Sequence, residues 1–484
     1  MKKIQTLLAV LFVGLAPMSA QDDFDAYKRQ LQQEYNQYSK QQKDNFEAYR
    51  NKLNAEYAEY MRQAWQVFSP SPAKPMPKRP EPPTPVVKDP KAGKGEDTKL
   101  PVKGVVPAVT PTKPAPAVPI PNVPLPPEGH TFSYYGTPCK VPLTPSLRYT
   151  LRGTSEANVA DAWETLSKEA YLPVLRACDN YRKQLNLCDW GYVRFVQKMT
   201  ESFFGASQAN EAILMQMYLL VQSGYKARIA RSEDTLFLLL PFEQSVYGYS
   251  FIMIDGESFY IIAQKTSGRS YAVLNHSFPK ERRVSLYMNG LPNLNIKAAS
   301  QRSLTSKTKL SVTVVPNQNM IAFFNDYPAN QQWGVFTKGS LSKSTKDKLY
   351  PVLKQAISGK SKTEAANILI NFVQTAFNYK TDDEQFGVER ALFADETLYY
   401  PYSDCEDRSI LYSVLVRELL GLDVVLLQYP GHLATAVRFG DAVEGDYIMV
   451  NGKKYIVCDP TYIGADIGEA MPKFKNAPVT VISI

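Results

Sequence analysis

A chain of 484 residues with 44 % apolar content can build two or three cored domains. Its formal charge of +8 is modest, and much of the lysine excess lies in a proline-rich tract, where it reads as a solvated linker. No motif combining basic and aromatic residues in the manner of an RNA or DNA binder is present, which argues against a nucleic-acid partner.

Residues 1–20, MKKIQTLLAVLFVGLAPMSA, have the form of a signal peptide: Lys2 and Lys3, an apolar run, then small residues ending at Ala20. The run is too short to span a bilayer, and no cysteine near the cut offers a lipid anchor. The expectation is export to the periplasm or cell envelope of a Gram-negative bacterium, or secretion, with no stable membrane insertion.

Residues 21–68 repeat. DDFDAYKRQLQQEYNQY recurs 22 residues later as DNFEAYRNKLNAEYAEY. Phe24, Tyr35, Phe46 and Tyr57 are spaced by eleven, and Tyr27, Tyr38, Tyr49 and Tyr60 keep the same step. Eleven residues are close to three helical turns, so a long helix with an aromatic, coiled-coil-like seam is predicted. The seam suits packing on the same protein, or self-association and docking on a partner. Residues 69–128, with proline every few positions, are expected to be an extended, disordered linker.

From residue 129 the composition is globular, and two segments (129–310 and 311–484) look alike. WGYVRFVQKMTESFFG precedes NEAILMQMYLLVQSGYKARIA, and ANILINFVQTAFNYKTDD precedes CEDRSILYSVLVRELLGLDVVLL. Each pair reads as two helices, a glycine stop and a strand. Hairpins follow, at Asp255-Gly256 and at Asn451-Gly452. Gly224 and Gly421 are 197 residues apart, and the hairpin glycines 196. A duplicated α+β domain is predicted.

The second segment holds the chemistry. Cys405 stands among Asp404, Glu406 and Asp407, whose charges would keep a thiol protonated. Ser403 or Asp404 suits a helix N-cap, with Ile410, Leu411, Val414, Leu415 and Leu419 as a buried face. Cys405 then lies in the first turn, where free N–H groups favour a thiolate and can stabilise an oxyanion. Glu406 and Asp407 read as capping carboxylates. His432 begins a strand-like run in YPGHLATAVRF, and Asp459 ends one in KYIVCDPTY. Side by side in an antiparallel sheet, Asp459 could orient His432, and His432 could serve Cys405 as base.

The motifs DCEDRS, GHLATAV and CDPTY, in this order over roughly residues 365–465, resemble the transglutaminase-like superfamily of papain-type cysteine enzymes. The resemblance implies a helix packed on an antiparallel sheet, with Cys405 as nucleophile, His432 as general base and Asp459 as orienting carboxylate. It also implies either amide hydrolysis or protein cross-linking, some relatives having kept only binding. Gln374 and Tyr402 are the candidates for a second oxyanion donor. With the same offset, Cys405 falls at Gln208 or Ala209, His432 at Thr235 or Leu236, and Asp459 at Ile262 or Ala263, so the first copy is expected to be catalytically dead.

Of the other cysteines, Cys178 and Cys188 could pair, or either could pair with Cys139. Cys458 alternates away from Asp459 toward the core, although a Cys405–Cys458 disulfide would remove the nucleophile. His130 and His276 read as structural, and Tyr399, Tyr400 and Tyr402 as a candidate aromatic groove. TDDEQFG at 381–387 fits no calcium loop, and no cofactor or metal is implied. The expected protein is an exported cysteine amide hydrolase acting on a protein or peptide. A cross-linking transglutaminase and a non-enzymatic envelope scaffold of the same fold are the alternatives.

Overall fold

The computed structural model describes residues 19–78, 84–93, 95–110, 115–263 and 269–484. The expected export segment lies outside these residues up to position 18, as do parts of the proline tract. Among the described residues no helix is long and apolar enough to cross a membrane.

The repeat forms one helix, α1 (Ser19–Arg62). The chain divides into two units after Glu56. In the first unit the seam residues Phe24, Tyr27, Tyr35, Tyr38, Phe46 and Tyr49 are exposed. In the second, Tyr57 is buried against Trp163 and Phe278, and Tyr60 stacks on His276 at 3.6 Å. The helix stops short of the expected residue 68. Trp65 Nε1 closes its end on the Met61 carbonyl, and β1 (Gln66–Phe68) leaves as a strand.

The second unit is a mixed α+β structure with two six-stranded sheets. The described parts of residues 69–128 correct the expectation of a free linker. Ser71 bridges Phe251, Val87 bridges Ile463 and Lys99 bridges Tyr447. Leu100 is buried, and β2 (Val102–Val106) is a full sheet strand. Proline denies the tract some N–H donors, but isolated apolar residues and free amides between the prolines suffice to lay it along an edge.

The first sheet contains β3 (Arg228–Ser232), β4 (Thr235–Leu240), β5 (Phe251–Ile254), β6 (Glu257–Ile261) and β7 (Tyr271–Val273), in the order β1-β7-β3-β4-β6-β5. The second contains β8 (Asp423–Tyr429), β9 (His432–Arg438), β10 (Tyr447–Val450), β11 (Lys453–Cys458) and β12 (Val479–Ser483), in the order β2-β12-β8-β9-β11-β10. Strand for strand this is one arrangement. They differ at the edge, where β1 runs antiparallel to β7 and β2 parallel to β12. Both anticipated hairpins form, with positive φ at Asp255-Gly256 and Asn451-Gly452, the geometry that matches strand twist.

The expected helix pair stands before each sheet, among other helices: α2 (Asp189–Phe204) and α3 (Ala209–Gln222) in the first half, α4 (Lys362–Thr375) and α5 (Cys405–Leu415) in the second. Only residues 205–208 separate the first pair, whereas residues 376–404 separate the second. A hairpin at Arg302–Thr305 and Ser311–Val314 spans the expected 310/311 boundary, and its Leu304, Val312 and Val314 enter the core of the second half. The second sheet is buried on both faces. Val424, Val437, Ile456 and Cys458 pack under the helices, while Val425, Leu427, Ala434 and Val481 pack with Leu100 on the side crossed by the tract.

Candidate functional site

Cys405 is the first residue of α5, with Asp404 as N-cap. Asp407 reaches back to the Asp404 N–H at 3.4 Å and accepts the Leu392 N–H at 2.9 Å. Every residue of α5 is buried, rather than one face, because residues 333–338 and 394–399 pack on it in addition to α4 and the sheet. Its polar residues therefore need partners. Arg408 donates to Ser403 Oγ and to the carbonyls of Gln374 and Phe377, and it lies over the Tyr379 ring. Burial pulls its guanidinium down to about 10. Ser409 Oγ donates to the Leu433 carbonyl at 2.8 Å, pinning α5 one turn past Cys405 to the residue after His432.

His432 opens β9, and Asp459 follows the last residue of β11. These strands pair antiparallel through Thr435 and Cys458, so the expected adjacency exists. His432 Nε2 is 2.8 Å from Asp459 Oδ2. The other carboxylate oxygen accepts the Thr461 N–H and hydroxyl at 2.9 and 2.8 Å. Burial works against the Asp459 charge, but the charge and bond of His432 and the two Thr461 donors hold its pKa below the ordinary carboxylate range. Against an ionised carboxylate, Nε2 carries the proton and Nδ1 is the nitrogen left to act as base. The Phe474 ring stacks on the imidazole at 4.9 Å and 3°, fixing its plane.

Cys405 and His432 line one small cavity with Tyr379, Thr461, Pro85 and Val86. Its volume is about 10 Å³, room for one water at most. Cys405 is 1 % exposed, and its thiol lies 3.4 Å from Glu406 Oε2. The His432–Asp459 bond is thus made and Cys405 lines the same narrow cavity as His432, with its thiol directed to Glu406.

Gln374 is not an oxyanion donor. Its Nε2 donates to the carbonyls of Asp459, Tyr462 and Ala465, and its Oε1 accepts the Gly464 N–H. It holds the loop that carries Asp459. Tyr402 receives Lys380 over its ring, and Tyr400 bonds Asn325, so neither joins the cavity; the aromatic there is Tyr379. All five cysteines are free, which removes each expected disulfide. Cys458 packs in the helix-side core, where burial pushes its thiol up to about 12. His130 bonds Ser202 Oγ, and His276 serves as a platform for Tyr60. Oxygens of Asp382, Glu389 and Glu406, and of Asp382, Asp404 and Asp407, lie within 4.8 Å of one another, a set of hard ligands suited to a divalent cation.

The sequence reading missed Phe474, Tyr379 and the positioning role of Gln374. Only Gln374 carried a signal, as a polar residue directly after the apolar pair Phe372-Val373. Comparison with family models, with curated proteins and with solved structures finds no match to this chain.

Proposed function

We propose that the second half is a transglutaminase-like cysteine amide hydrolase with Cys405 as nucleophile, His432 as general base and Asp459 as orienting carboxylate, and that the first half is a non-catalytic copy of the same unit. The observation that carries this reading is the buried His432–Asp459 pair, bonded at 2.8 Å, whose histidine lines the same cavity as Cys405 at a helix start. The shared strand order of the two sheets supports the copy.

In the reaction, the thiol proton passes to His432 Nδ1 and sulfur attacks the amide carbon. The oxyanion faces N–H groups of the first turn of α5. The C–N bond breaks, and the imidazolium gives its proton to the departing amine, leaving a thioester on Cys405. His432 then takes a proton from water as it attacks; the C–S bond breaks, the imidazolium returns its proton to the sulfur, and the acid leaves. An amine in place of that water gives cross-linking. A polypeptide substrate of an exported enzyme follows from the same reading.

The near-complete burial of Cys405 favours a second reading, a scaffold that uses the fold without catalysis. Turnover separates them. Release of amine or ammonia from an unfolded polypeptide, measured in a variant with residues 84–88 loosened, should vanish when Cys405→Ala is added. Turnover that survives this substitution removes Cys405 as nucleophile, and no turnover in either protein favours the scaffold.

A further inference from the structure

Two of the residues that line the cavity, Pro85 and Val86, come from the proline tract, more than 300 positions before Cys405. Their attachment has the form of peptide recognition. The Ile463 N–H donates to the Val86 carbonyl, and the Lys88 N–H donates to the Ile463 carbonyl, both at 2.9 Å. Val87, between them, points its bulk to solvent at 64 % exposure. Val86 is half-buried against the sheet core and lines the cavity beside the thiol. Lys88 Nζ lies 2.6 Å from Oε1 of Glu469, whose side chain is 7 % exposed; Glu469 Oε2 accepts the Asp466 N–H at 2.9 Å. A buried carboxylate fixed by its own loop and facing a lysine of a passing segment is a cation subsite. The paired backbone bonds accept any extended chain with a free N–H at the right place.

We infer that the surface running from the Cys405–His432 cavity past Ile463 to Glu469 is a groove for an extended polypeptide bearing an apolar residue and, two positions later, a cationic one, and that Pro85–Lys88 occupies it as a tethered inhibitor. This rests on the catalytic reading for the meaning of the cavity, though not for the groove itself. Beyond Lys88 the chain is held again at Leu100 and along β2. The segment is therefore presented to its groove at a high effective concentration, and a substrate in trans must compete with it. The narrow cavity is then the occupied state of the site.

Alkylation of Cys405 by iodoacetamide at neutral pH, followed by peptide mass mapping on the full chain, tests the groove without reference to turnover. Lys88→Glu places like charges together and should raise the labelling rate roughly tenfold, the scale of one lost charge-assisted bond. The swap Lys88→Glu with Glu469→Lys should return it toward the wild-type rate. A synthetic peptide of residues 84–90, TPVVKDP, should slow labelling of the Lys88→Glu protein saturably, and its lysine-to-glutamate version should not. Equal labelling of wild type and Lys88→Glu, with unchanged thermal unfolding, overturns the inference, as does a peptide effect indifferent to its lysine. Fast labelling without amide turnover would remove the catalytic reading and leave the groove standing.

Discussion

The two halves set the same scaffold beside different chemistry. Ala209 and Cys405 each open the second helix, Thr235 and His432 each open the second strand after it, and Ile262 and Asp459 each follow the returning hairpin strand. At these matched places one half carries a methyl, a hydroxyl and a butyl group, and the other a thiol, an imidazole and a carboxylate. Strand order, hairpin turns and glycine stops are common to both, so none of them requires the site. The site coincides instead with residues 376–404, which help to bury α5 and supply Tyr379 and Ser403.

The largest expected effect lies at Cys405, the proposed nucleophile. Cys405→Ala should lower turnover by about 10³-fold or more. Cys178→Ala, also fully buried but in the first half, should cost about 1 kcal/mol of stability by thermal unfolding and leave turnover unchanged. Next comes Asp459→Asn, expected to reduce kcat by about 10³-fold with little change in KM, because the imidazole loses its tautomer rather than the substrate its groove. The same substitution probes pH. The native pKa of Asp459 is depressed, so its carboxylate stabilises the fold above the unfolded-state value, and this contribution is lost as pH falls through the depressed one. Asp459→Asn should remove that increment of acid lability, read as a flatter unfolding free energy below pH about 4.

Smaller effects sharpen the contrast. Phe195-Val196-Gln197 on α2 and Phe372-Val373-Gln374 on α4 are the same triplet. Gln197 spends its amide on Glu201 and Arg194 near the surface, whereas Gln374 ties down the Asp459 loop. Gln374→Ala should cost about 2–3 kcal/mol in chemical denaturation and slow turnover, and Gln197→Ala less than about 0.5 kcal/mol. Asp255→Ala and Asn451→Ala, at φ of 49° and 48°, should cost a similar amount, about 1 kcal/mol each. A large inequality there would mean that the hairpins do not play one role in the two halves.

What could be read from residue order was local or periodic. The start of α5 is announced by its capping acids, and the hairpins by Asp-Gly and Asn-Gly. The meeting of His432 with Asp459 follows once the two strands pair, since antiparallel pairing joins a strand start to a strand end. What could not be read came from contacts between remote positions of unremarkable type. Phe474 is one of 22 phenylalanines, and nothing in its neighbourhood marks it as the platform under His432. The complete burial of α5 was hidden because Glu406, Asp407, Arg408 and Ser409 look like a solvated face until an intervening segment covers them. The proline tract misled for a thermodynamic reason: composition reports that a segment cannot form its own core, not that another core will take Leu100 or Val86 one residue at a time.

That tract also limits how the molecule can be divided. Each sheet ends in a strand contributed from before residue 107, β1 in one and β2 in the other. A fragment of residues 311–484 would contain Cys405, His432 and Asp459, yet it would leave β12 with an open row of amides and carbonyls and uncover the apolar side chains that Leu100 shields. Such a piece should pair with its own kind and come out of solution. Expression of the second half therefore calls for Pro85–Val106 supplied as a separate peptide or fused through a short spacer, a split-protein arrangement in which that segment would at once complete the sheet and cover the site.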